Sequence, residues 1–108
     1  MMIPTDFKLK FQYDLIRLGK DNDRKGVLIC GTGVGMSIAA NKFNNIRAGL
    51  VYNSEVAKLI REHNDANILV LPGKYMDVKE AVKSVDNFIS SPFEGGRHNI
   101  RLKKMIKK

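Results

Sequence analysis

Val27 to Cys30 and Ile68 to Leu71 are short continuous apolar runs and Arg47 to Val51 reads as a strand between them, each followed by a loop and a segment with helical spacing. Runs of this kind, without polar alternation, belong to strands covered on both faces. Helical crossovers join such strands in parallel, and the crossovers are right-handed. The alternation therefore restricts the chain to the α/β class with a parallel sheet. Three strands are few for such a fold, and 108 residues hold one core without room for a second domain.

The helical segments carry their own signals. Ile3 to Gly19 opens with Pro4 and Thr5-Asp6, and Phe7, Phe11, Leu15 and Leu18 follow at helical spacing. Phe7, Leu9, Phe11 and Tyr13 also alternate, which leaves a strand open there. Met36 to Phe43 reads as a helix closed by Asn44-Asn45, and Ser54 caps a helix running to about His63. Pro72-Gly73 ends the third strand. Over Asp77 to Ser90 the spacing predicts a helix in which Asp77 and Glu80 form a capping box. Val78, Ala81, Val82, Val85, Phe88 and Ile89 make one apolar stripe along it.

Composition narrows the function classes. One cysteine forms no internal disulfide, and no Cys/His set has zinc spacing, so a reducing, cytoplasmic setting without a metal or other cofactor is expected. No apolar run approaches the length of a bilayer span, and no membrane role is expected. The net charge of +8 raises an anionic partner. Arg97, Arg101, Lys103, Lys104, Lys107 and Lys108 supply most of it, in a basic tail over 97–108 without an acidic residue. Only Phe93 lies near that tail as a stacking group, and no reading motif is present, so nucleic acid is not favoured.

Chemistry concentrates in GVLICGTGVGMSIAANKF, Gly26 to Phe43. Ligands of an open parallel sheet bind beyond the carboxyl ends of its strands, where Gly31, Thr32, Gly33, Val34 and Gly35 fall. Glycines expose backbone N–H groups, and such a nest suits a phosphate, a carboxylate or a developing oxyanion. The GxGxG spacing meets neither the dinucleotide nor the Walker pattern, and it serves a tight turn equally well. Cys30 fits a small buried hydrophobe, or a thiolate base or nucleophile beside that nest. Thr32 can bond a ligand or cap the turn. His63, at a helix end, is a solvated histidine or a site residue. Arg97 and Arg101, four apart, suit a phosphate if the segment is helical, or are solvated charge.

GVLICGTGVGMSIAANK, IRAGLVYNSEVAKLIREHNDANIL and SPFEGGRHNIR, from about Tyr13 to Arg101, together resemble the type B ribose-5-phosphate isomerase family. That family includes the galactose-6-phosphate isomerase subunits. No one of the three segments is decisive alone; their order and spacing make the resemblance specific. It implies a Rossmann-like three-layer sandwich, and a homodimer or homotetramer whose active sites combine residues of two subunits. It also implies metal-free interconversion of ribose 5-phosphate and ribulose 5-phosphate through an enediol, a step of the pentose phosphate pathway.

Under the resemblance, Cys30 is the base that moves the proton between C1 and C2. Thr32 and the amides of Gly31, Gly33, Gly35, Met36 and Ser37 hold the enediolate oxygens, and Asn41 shapes the loop. His63 assists ring opening, Asn64 binds a sugar hydroxyl, and Arg97 and Arg101 hold the phosphate. The galactose-6-phosphate enzyme divides such residues between two different subunits, whereas this chain keeps them together, which favours ribose. Departures are Pro72, where a small residue is expected, the extra basic residues Lys103-Lys104, and the start of the chain. Family members open with a strand–helix–strand unit carrying an Ser-Asp-His-type motif, and Met1-Met2-Ile3-Pro4 begins beyond it. The chain therefore reads as N-terminally incomplete, with Val27 to Cys30 left as an apolar edge and weak activity alone. A truncated, non-catalytic sugar-phosphate binder is the alternative.

Overall fold

The computed structural model describes residues 14–20 and 24–95. A helical segment, residues 14–19, precedes β1 (Gly26–Cys30), α1 (Val34–Ala40), β2 (Ala48–Leu50), α2 (Ser54–Asn64), β3 (Ile68–Pro72) and α3 (Val78–Ser90). The strands form one parallel sheet in the order β1-β3-β2, with Cys30 opposite Pro72 and Ala48 opposite Ile68. All five residues of the central β3 are buried, as a continuous apolar run requires. Ile68 and Val70 pack with Leu15, Leu28, Met36, Ala40 and Ile46 on one face. Leu69 and Leu71 pack with Val51, Ala57, Ala66 and Phe88 on the other. The result is the expected α/β sandwich of three layers. Among the described residues, no helix is long and apolar enough to cross a membrane.

Several boundaries differ from those read in the sequence. α1 begins at Val34, two residues before the expected Met36, because Gly33 takes the left-handed conformation (φ 82°) and turns the chain into the helix at once. It ends at Ala40 instead of Phe43. The N-cap of α2 is Asn53, whose side chain accepts from the Val56 N–H at 2.9 Å; Ser54 is already helical. Asp77 caps α3 as expected, accepting from the Glu80 N–H at 2.8 Å. The Glu80 carboxylate does not return to its own helix, however. It accepts from the Ser54 N–H at 2.6 Å, so the capping box opens and ties α3 to the first turn of α2. This bond holds the Glu80 carboxyl below the usual carboxylate range.

The stripe on α3 also divides. Phe88 and Ser84 are fully buried, and Ala81 and Val85 pack against the core. Val78, Val82 and Ile89 face solvent. β1 lies at an edge of the sheet, with Val27 and Ile29 exposed at 38% and 63% on the face opposite Leu28. The apolar edge expected there is thus present among the described residues, but the strand is not covered on both faces as its apolar run implied.

Candidate active site

Cys30 ends β1 at the carboxyl end of the sheet, half-buried, and the glycine loop follows directly. Three successive carbonyls of this stretch are held by neighbouring loops. The Gly73 N–H donates to the Cys30 carbonyl at 2.7 Å, and the Lys74 N–H to that of Gly31 at 3.0 Å. The Tyr52 hydroxyl donates to the Thr32 carbonyl, also at 3.0 Å. At Gly33 a Cβ would collide with the tip of the Leu50 side chain, and the left-handed φ strains most other residues independently. A Cβ at Gly35 would meet nothing within 4 Å, so that residue borders open space in the first turn of α1.

The side chains around the loop have distinct tasks. Thr32 Oγ1 accepts from the Val34 N–H at 3.3 Å, closing the turn into α1. Ser37 Oγ donates back to the Val34 carbonyl at 2.8 Å, and the Met36 side chain packs in the core. Lys74 lies alongside, its aliphatic stem 3.7 Å from the Cβ position of Gly31. Tyr52 and Tyr75, both exposed, flank the same end with ring centroids 6.5 Å apart. Sequence reading singled out neither Lys74 nor Tyr52. The available signal was position, since each follows the carboxyl end of a strand.

The remaining candidates lie elsewhere. α1 runs away from the loop, and Asn41 at its end grips the start of β2, accepting from the Ala48 N–H at 2.8 Å and donating to the Ala48 carbonyl at 3.0 Å. α2 likewise starts beyond the carboxyl end of β2 and finishes with His63 and Asn64 before β3 begins. Because the strands are parallel, His63 and Asn64 sit at the amino end of the sheet. A five-residue strand at ~3.3 Å per residue separates that end from Cys30. Asn41, Arg47 and Asn64 line a cleft of about 250 Å³ there. One chain therefore does not bring His63 and Asn64 to Cys30.

The polar run around His63 has its own explanation. Buried Arg61 donates through Nη1 to Asp65 Oδ1 at 2.9 Å and to the Ala66 carbonyl at 2.7 Å. Arg47 Nε donates to the Asp65 carbonyl at 2.7 Å, and Asn67 Oδ1 accepts from the Arg47 N–H at 2.8 Å. Asp65 itself is left-handed (φ 50°). Arg61, Asp65 and Asn67 thus fix the turn that presents a half-buried His63 and an exposed Asn64. Arg97 and Arg101 lie outside the described residues.

The sequence profile of the Ribose/Galactose Isomerase family matches residues 14–105. The chain is 51% identical over 81 residues to the probable ribose-5-phosphate isomerase B of Mycoplasma pneumoniae, covering 75% of this chain and 53% of that protein. To the ribose-5-phosphate isomerase B of Escherichia coli it is 47% identical over 77 residues, covering 71% and 52%. Among solved structures, ribose-5-phosphate isomerase B from Mycoplasma genitalium with bound ribulose-5-phosphate superposes with a TM-score of 0.84 at 39% identity. That match covers 98% of this chain and 71% of the other. The chain spans about half the length of the curated relatives it matches. With the profile matched across most of its length and the fold shared, the protein belongs to the Ribose/Galactose Isomerase family.

Proposed function

We propose that the protein is a sugar-phosphate isomerase that interconverts ribose 5-phosphate and ribulose 5-phosphate in the cytoplasm. The observation that carries this reading is the junction of Cys30 with a glycine loop whose carbonyls are turned to other partners. Isomerisation next to a carbonyl needs a base to move a proton between C1 and C2, and donors for the oxygen that becomes negative. Cys30 supplies the base. The amides of Gly31, Gly33, Gly35 and Met36, with Thr32, supply the donors; the Ser37 N–H, expected among them, is taken by the Gly33 carbonyl at 3.1 Å. Lys74, beside Gly31, meets the substrate's phosphate together with Arg97 and Arg101.

His63 and Asn64, which assist ring opening and bind a sugar hydroxyl in this reading, come from a second subunit, because in their own chain they stand at the far end of the sheet. The assembly in this reading is a homodimer with shared sites. Support comes from relatives named ribose-5-phosphate isomerase B, one of them with ribulose-5-phosphate bound. The test is an isomerase assay with ribose 5-phosphate and galactose 6-phosphate. It is run on the 108-residue chain and on the same chain fused behind the N-terminal part of a longer relative. Cys30-dependent turnover of the ribose substrate in either form is the expected result. Sugar-phosphate binding without turnover in both forms would leave a non-catalytic binder.

A further inference from the structure

Each of the carbonyls of Cys30, Gly31 and Thr32 meets one donor from another loop. The peptide unit is planar and trans, so fixing a carbonyl also fixes the direction of the next residue's N–H. Holding these three carbonyls therefore aims the N–H groups of Gly31, Thr32 and Gly33. Two of the donors are backbone amides in the turn after β3, a turn closed by the Tyr75 N–H on the Pro72 carbonyl at 2.9 Å. The third is a side chain, the Tyr52 hydroxyl, reaching across from the loop after β2. Its ring is braced by Tyr75, tilted 34° to it, from the turn that supplies the other two donors.

We propose that Tyr52 is a positioning residue of the glycine loop. Its hydroxyl fixes the Thr32 carbonyl and so aims the Gly33 N–H at the oxyanion formed during isomerisation. The second clause rests on the function proposed above. Tyr52 acts just before the left-handed Gly33, where the chain reverses into α1 and the Ser37 N–H holds the next carbonyl, that of Gly33, at 3.1 Å. Tyr52 is 49% exposed, which separates this role from core packing.

Tyr52→Phe removes the hydroxyl and keeps the ring. Hydrogen–deuterium exchange should rise in the segment Cys30 to Met36 and stay unchanged in α2 and α3, with the unfolding temperature unaltered. Because the donor is loosened rather than removed, kcat should fall roughly three- to tenfold, the worth of one neutral hydrogen bond. KM should change less than about twofold, since the phosphate contacts remain. Tyr75→Leu, which withdraws the brace and leaves the hydroxyl, should shift both readings in the same direction by a smaller amount. Unchanged loop exchange in Tyr52→Phe overturns the proposal, and so does an unchanged kcat in an active enzyme. A wild type without turnover overturns the isomerase reading and the oxyanion clause with it, while the exchange measurement still decides whether Tyr52 holds the loop.

Discussion

Cys30 shares a face of β1 with Leu28, on the side where α1 packs, and occupies the last strand position before the loop. If it is the base, Cys30→Ala should lower isomerase turnover by roughly 10²- to 10⁴-fold while sugar-phosphate binding, measured by calorimetry, stays nearly intact. Cys30→Ser should be almost as damaging, because a hydroxyl is a far weaker base and nucleophile at neutral pH. Turnover retained in either variant would return Cys30 to a packing role. Lys74 is separable from it. Lys74→Ala should weaken a phosphorylated sugar about tenfold or more, the loss of one charge-assisted contact, and leave the unphosphorylated sugar unaffected. Cys30 and the glycines were legible because their chemistry is contiguous in sequence. Lys74 and Tyr52 were not, because their place beside the loop depends on the strand order β1-β3-β2. Met36 and Ser37 show the converse: adjacent to the motif, yet with side chains committed to the core and to the Val34 carbonyl.

Elements were easier to find than the faces they bury. The α3 stripe has helical periodicity on both its inner and outer sides, and only the sheet beneath decides that Phe88 goes in while Val82 stays out. The capping-box pattern likewise located the start of α3 but not the partner of Glu80, since the competing N–H of Ser54 is remote in sequence. That bond gives a pH signature. With the Glu80 carboxyl depressed in the folded state, chiefly by the Ser54 backbone bond, its contribution to stability is complete above the unfolded value of about 4.5. The contribution is lost as pH falls through the lower folded value. Glu80→Gln should therefore lower the unfolding temperature at neutral pH, and the gap to wild type should close in acid. A gap of equal size at both ends of a thermal-unfolding pH series would assign the loss to geometry instead of charge.

At the scale of the whole molecule, the parallel sheet sets its two chemistries apart: Cys30 and the glycine loop at the carboxyl end, His63 and Asn64 at the amino end. No side-chain rotation closes a gap of a strand's length, so the proposed site needs the amino end of one subunit against the carboxyl end of another. Cys30→Ala and His63→Ala chains should each be defective as homodimers. After mixing and subunit exchange, half of the dimers carry one chain of each kind. In a mixed dimer one site collects both lesions and the other collects neither. Equal mixing should then restore about a quarter of wild-type activity, as the two-fold symmetry of a dimer with shared sites dictates. Complementation requires the exchange to be real, which a mass-labelled chain would follow in parallel. Mixed dimers that form and remain inactive would mean that Cys30 and His63 serve the same site from the same chain, or that His63 serves none.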